Sequence, residues 1–319
     1  MSVAAVVTAA LAIVLWSSGA PYGDRVVGLG SAVPWGSADP RFPTALPPPP
    51  VAGRGQAGPL VGGLAASAVG VLVVDGGRHQ CSAAVVASSS RRLVATAAHC
   101  VWLDGGWRVD GAVFIPGYAA GEEPYGRWAV DTAYVPPAWT EANSPISDVA
   151  ADTDFAFVSL LPRDGVLPEQ VLGAQGIRFI SPSTDTGAGV GEVAALGYPA
   201  LGSYDGQSLR ACLGAVELER FARASAPVPG EVLALDCDMT EGASGGPWLA
   251  GPGAADGRGQ VIGVVSGGDA THLVSPRFGP DAQQVYEAAD SASQITTPPD
   301  PAATDPTTAQ IAPRGGSSR

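Results

Sequence analysis

Ser244 stands in Glu241-Gly242-Ala243-Ser244-Gly245-Gly246-Pro247, a hydroxyl inside a run of small residues. Glycine lets the backbone turn sharply and brings amide N–H groups close to whatever the serine attacks. Taken alone, such a run is more often a plain turn. A serine nucleophile also needs a base, and the base needs an acceptor that holds its other ring nitrogen. The chain has three histidines, His79, His99 and His272. His99 follows directly on an apolar strand-like run, in Thr96-Ala97-Ala98-His99-Cys100, where a rigid strand end would fix its orientation. His79 lies in a Gly-rich polar turn and His272 in a later loop, and both read as solvated surface residues. Asp154 opens Asp154-Phe155-Ala156-Phe157-Val158, a carboxylate at the mouth of an otherwise apolar strand. Asp148 and Asp152, in the polar loop before it, compete for the orienting role. Together these types suit acyl transfer: the serine attacks a carbonyl, the histidine carries its proton, and the aspartate orients the histidine.

The elements that must position these groups look like short strands. The chain has 319 residues, 46% hydrophobic, with 43 Gly and 29 Pro and few long charged side chains. Short apolar runs at 69–74, 81–86, 92–98, 111–115, 128–135, 154–160, 192–198, 231–236 and 260–266 are mostly separated by turn residues. That rhythm predicts an all-β sandwich or barrel. Residues 281–290 are the one good late helix candidate. The net charge of -13 argues against a nucleic-acid partner, which would require a basic face.

The ends differ in composition. Residues 3–16 are almost wholly apolar, short for a membrane span but matched to the core of an export signal, and Ser17-Ser18-Gly19-Ala20 offers small residues for cleavage. No basic residue precedes the run, so an uncleaved anchor is the alternative, and membrane attachment is expected only then. Either way the remainder lies outside the cytoplasm. Residues 21–64 read as a Pro/Gly-rich pro-segment or linker, 65–292 as the folded domain and 293–319 as a disordered tail. The four cysteines, Cys81, Cys100, Cys212 and Cys237, fall in two groups, and in an exported chain two local disulfides are the simplest arrangement. No C-x-x-C pair or histidine cluster suggests a metal, so neither metal nor cofactor is expected.

Thr96-Ala97-Ala98-His99-Cys100, then residues 154–160, then Gly242-Ala243-Ser244-Gly245-Gly246-Pro247, in the order His–Asp–Ser, resemble the trypsin/chymotrypsin-like serine proteases. Val69-Gly70, Gly197-Tyr198-Pro199 and Cys237-Asp238 resemble their bacterial secreted branch, which includes the V8-like enzymes. The resemblance spans about residues 65–290. It implies two six-stranded antiparallel β-barrels, about 65–165 and 176–280, with the site in the cleft and the crossover near 162–178. It implies disulfides Cys81–Cys100 and Cys212–Cys237, catalytic His99, Asp154 and Ser244, and an oxyanion hole from the Gly242 and Ser244 amides. Ser266, Gly267 and Gly268 would lie on the strand that pairs with a polypeptide substrate. The expected enzyme is a secreted, monomeric serine endopeptidase.

Two features depart from that pattern. Animal members carry an aspartate just before the nucleophile, which pairs with a new amino terminus after activation; here it is Ala243, so Leu60-Val61-Gly62-Gly63 has no such partner. Asp238 stands six residues before Ser244, where trypsin-like enzymes place the acid that binds Arg or Lys, yet Cys237-Asp238 also resembles a structural element of V8-like enzymes. Val265 stands where glutamate-specific relatives tend to carry histidine, so basic and small or apolar side chains rank ahead of acidic ones. A catalytically silent binding or signalling module is the competing reading. An α/β-hydrolase is disfavoured, because Pro247 follows the serine too soon for an elbow helix and the histidine comes first.

Overall fold

A computed structural model describes residues 55–60, 62–141, 151–180, 190–221 and 230–294. The apolar run 3–16, most of the proposed linker and the tail beyond 294 lie outside the described residues, as do Val61 and Asp148.

The first half is a closed barrel. After β1 (Gly58–Pro59) and a helical turn, α1 (Ala65–Ala68), come β2 (Val69–Val74), β3 (His79–Val85), β4 (Leu93–Thr96) and the one-turn helix α2 (Ala98–Val101). A small ribbon, β5 (Trp102–Leu103) and β6 (Gly106–Trp107), precedes β7 (Val113–Pro116), β8 (Trp128–Tyr134), helix α3 (Pro137–Glu141) and β9 (Ala156–Leu160). The strands close in the order β2-β3-β4-β9-β8-β7, all pairs antiparallel. Every residue of β9 is buried. One face fills the barrel and the other lies under the last helix, α5 (Pro280–Ala292), which explains why β9 reads as a continuous apolar run rather than an alternating one. Tyr286 of α5 packs edge-on against Phe157 at 5.4 Å between ring centroids, and Phe278 meets both Phe155 and Phe157. Truncating a wholly buried phenylalanine such as Phe157 typically costs about 3–5 kcal/mol. The aromatic cluster therefore pins the strand whose mouth carries Asp154.

The second half departs from the expectation of a second closed barrel. Helix α4 (Pro168–Leu172) and β10 (Gly176–Ile177) make the crossover, followed by β11 (Glu192–Gly197), β12 (Arg210–Ala215), β13 (Glu217–Phe221), β14 (Gly230–Asp236), β15 (Pro247–Ala250), β16 (Gln260–Val264), β17 (Gly267–Gly268) and β18 (His272–Pro276). These form a six-stranded sheet, β1-β12-β11-β15-β16-β10, and a four-stranded sheet, β13-β14-β18-β17. The chain leaves the first sheet for the second at the buried Val216, between β12 and β13, so the hydrogen-bonded ring is not continuous there. Both sheets cover one core containing Leu233, Leu235, Trp248 and Ile262, and Cys212–Cys237 ties β12 to the end of β14. The β10–β16 pair is parallel, a further departure from a purely antiparallel fold. β1 joins the first of these sheets. Residues 58–59, assigned by composition to the linker, pair with β12, and the Leu60 amide donates to the Leu209 carbonyl.

Candidate active site

His99 sits on α2, immediately after β4. The Thr96 hydroxyl donates to the Ser82 carbonyl at 2.9 Å, the Arg108 guanidinium donates to the His99 carbonyl at 3.4 Å, and Cys100 is bonded to Cys81 on β3. Cross-link and hydrogen bonds together hold this single turn, which is too short to be stable alone. The Cys81–Cys100 sulfurs and a His99 ring nitrogen lie within 4.8 Å of one another. Both sulfurs are consumed by the disulfide, so that group offers no thiolate to a metal.

Asp154, only 2% exposed, faces His99 and receives three donors. The His99 backbone amide donates to Oδ1 at 2.9 Å, and His99 Nδ1 lies 2.7 Å from Oδ2. The Ser266 hydroxyl donates to Oδ2 at 2.6 Å. A buried carboxylate is tolerated only with such pairing, and the contact engages the Nδ1 side of the His99 ring. Asp152 lies in the short turn Ala151–Thr153 just before it. The remaining histidines are half exposed: His79 is 3.5 Å from Asp75, and His272 contacts Thr271, Asp236 and Asp269. Burial, then the neighbouring Arg108, lowers the His79 pKa.

The Ser244 loop is pressed against the elements that carry His99. The Ser82 amide donates to the Ser244 carbonyl at 2.7 Å, and Cys100 Sγ lies 3.8 Å from the same oxygen. Gly242 adopts φ 94° and Gly245 φ 83°, a region that strains other residues. A Cβ on Gly242 would meet the Tyr198 carbonyl at 2.5 Å, and one on Gly245 would collide with the Thr96 hydroxyl and the Ser82 carbonyl. Within this loop the Ala243 amide donates to Thr240 and the Gly246 amide to Ala243. Among the described residues, the Gly242 and Ser244 amides donate to no backbone carbonyl. No hydrogen bond joins the Ser244 hydroxyl to His99 among the described residues; the two groups are held in neighbouring loops, and catalytic hydrogen bonds often tighten only in complexes.

The other residues singled out in the sequence fall into two sets. Ser266 reaches Asp154 with its hydroxyl and donates its amide to the Val274 carbonyl, and Gly267 and Gly268 follow it as β17. A Cβ at Gly267 would meet nothing within 4 Å. Asp238 has two donors within the protein. Its Oδ1 accepts from the Ala57 amide at 2.8 Å and the Tyr204 hydroxyl at 2.7 Å. Burial, then the Asp238 hydrogen bond, pushes the Tyr204 pKa up to about 12, keeping the phenol a donor. Burial also raises the Glu241 carboxyl.

The His99–Asp154 pair and the glycine-framed Ser244 loop thus lie close together where the two β halves meet. The chain matches the trypsin-like peptidase domain over residues 81–264 and belongs to that family. Among solved structures it resembles the protease Anisep from Arthrobacter nicotinovorans, with 25% identity and TM-score 0.59 over 73% of this chain and 97% of that one. It likewise resembles AL20, a thermostable serine protease from an extremophilic microorganism, with 29% identity and TM-score 0.59 over 72% and 99%. A Glu endopeptidase shares the fold, with 19% identity and TM-score 0.53 over 70% and 91%. No curated protein matches the sequence.

Proposed function

We propose that the chain is an exported serine endopeptidase that cleaves polypeptides through an acyl-enzyme. Ser244 attacks the scissile carbonyl while His99 Nε2 takes its proton. Asp154 holds Nδ1–H and stabilises the imidazolium, and the Gly242 and Ser244 amides receive the oxyanion. His99 then protonates the leaving amine, and water frees the acyl group. The observation that carries this reading is the 2.7 Å contact between His99 Nδ1 and the buried Asp154. It fixes the ring in the tautomer a general base requires.

Export is supported by two disulfides and by the apolar amino-terminal run, read as a signal within residues 1–20. The enzyme is read as a monomer. At the specificity site, the donors already on Asp238 favour a small or apolar residue before the cut over a basic one. Digestion of an unfolded polypeptide tests the activity. The wild type is expected to cut it, and Ser244→Ala to lose about 10⁶-fold in kcat. Cleavage untouched by Ser244→Ala contradicts the proposal, and absence of cleavage by folded wild type favours the silent binding module.

A further inference from the structure

Ser82 carries a wholly buried hydroxyl that the triad does not use. It lies on β3, next to Cys81, and spends both hydrogen-bonding roles on the other half of the molecule. The hydroxyl donates to the Gly242 carbonyl at 2.8 Å and accepts from the Tyr198 amide at 2.9 Å. Its main chain adds the bond to the Ser244 carbonyl and receives the Thr96 hydroxyl. One residue thus touches the Gly242 peptide, the Ser244 peptide and Thr96, the end of the strand that leads into the turn carrying His99.

These contacts matter because of where the proposed oxyanion donors point. The Gly242 N–H belongs to the Glu241–Gly242 peptide, whose carbonyl accepts from the Ala200 amide at 2.6 Å. A peptide is planar and trans, so its N–H points opposite to its C=O. Holding the Glu241 carbonyl on Ala200 aims the Gly242 N–H the other way. Gly242, without a Cβ, is the residue most free to rotate out of that arrangement. Ser82 holds the carbonyl on its far side. With both flanking carbonyls pinned and the Ala243 amide on Thr240, the Gly242 amide keeps its direction. The Ser244 amide belongs to the next peptide but one, whose Ala243 carbonyl accepts from the Gly246 amide.

The geometry assigns Ser82 the role of a positioning residue for the oxyanion site, acting through the Gly242 carbonyl. This rests on the serine-peptidase reading. A purely structural hydroxyl would resemble that of Ser275, which is also buried and donates to the Pro276 carbonyl. The two roles differ in kinetics. Preorganised donors act on the charged transition state more than on bound substrate, so their disturbance lowers kcat and spares KM.

The test compares wild type, Ser82→Ala, Ser82→Gly and Ser275→Ala on a fluorogenic peptide amide. Each variant is also titrated with a peptide aldehyde, whose carbonyl carbon bonds to the Ser244 oxygen and so creates an oxyanion. Ser82→Ala is expected to lose about 10- to 100-fold in kcat with KM within about threefold, and aldehyde affinity falls by the same factor as kcat. Ser82→Gly, which removes the hydroxyl together with its Cβ, shows the same split and supplies the comparison if the alanine variant does not fold. Ser275→Ala loses thermal stability alone. A Ser82 variant that unfolds earlier but keeps wild-type kcat and aldehyde affinity overturns the assignment, as does one that changes only KM. Inactivity of folded wild type would instead remove the peptidase reading, and the assignment with it.

Discussion

Replacing Asp154 by asparagine keeps the side-chain shape and removes one acceptor from a buried group that receives three donors. In the native site, Oδ2 takes His99 Nδ1 and the Ser266 hydroxyl, and Oδ1 takes the His99 backbone amide. Asparagine has one carbonyl oxygen and one NH2 group. If the oxygen stays toward Nδ1 and Ser266, the NH2 faces the His99 backbone N–H, and two buried donors oppose each other. An unsatisfied buried donor costs roughly 1–3 kcal/mol. If the amide flips, its oxygen keeps the backbone N–H, and Ser266 turns its hydroxyl to accept from the NH2. His99 can then satisfy the NH2 only with an unprotonated Nδ1, which places the ring proton on Nε2. The flipped state leaves no group unpaired and therefore prevails, yet it puts a proton on the nitrogen that should receive one from Ser244. We expect kcat to fall about 10⁴-fold, equivalent to about 5.4 kcal/mol, while the fold is nearly unaffected. Steady-state hydrolysis of a peptide amide measures the first effect and thermal unfolding the second. A folded Asp154→Asn variant within about tenfold of wild type would refute the tautomer argument.

Three further outcomes follow from the same contacts. Asp238→Ala should release Ala57 and Tyr204 and lower the melting temperature, while leaving the ratio of cleavage after arginine to cleavage after alanine unchanged; a selective loss of cleavage after basic residues would restore Asp238 as a specificity acid. Removing Cys212–Cys237 as a double alanine variant opens a loop of sequence separation 25 and should cost about 3.5 kcal/mol by the chain-entropy relation, read from denaturant unfolding; an unchanged midpoint would show that the sheets need no tie near Val216. At Asp290, burial raises the carboxyl pKa, but the Ser90 and Ser89 amides outweigh it and leave a net lowering. A depressed folded pKa gives stability that is present above the unfolded value, 3.8, and is lost as pH falls through the folded one. Asp290→Asn should therefore melt earlier than wild type at neutral pH, with the gap closing below about pH 3.8, and a gap independent of pH would contradict it.

The catalytic candidates were legible because their neighbours in sequence are also their supports. Cys100 and Thr96 flank His99, Phe155 and Phe157 follow Asp154, and the glycines that allow the Ser244 turn adjoin it. The helix expected at 281–290 forms as Pro280–Ala292, with Ala282, Val285 and Ala289 on its buried stripe. Other parts depend on contacts that no local pattern records. Ser82 reads as an ordinary polar residue after a cysteine, and its role comes from Gly242, 160 residues away. One of the two partners of Asp238 is Ala57, 181 residues away, in chain whose composition suggests a linker. β12 escaped the apolar pattern because only Cys212 among its six residues is buried, and Arg210 and Gly214 break the alternation. The passage between sheets at Val216 turns on one residue within an otherwise extended stretch, so nothing in spacing separates two sheets from a closed ring there.

The central claim is that Ser244 is a nucleophile activated by His99. Its most direct measurement is the mass and position of the adduct formed with a fluorophosphonate at neutral pH. The account predicts one phosphonyl group on the peptide that contains Ser244, absent in Ser244→Ala and strongly slowed in folded His99→Ala. Failure of folded wild type to react, modification at another residue, or equal labelling in the His99→Ala variant would contradict it.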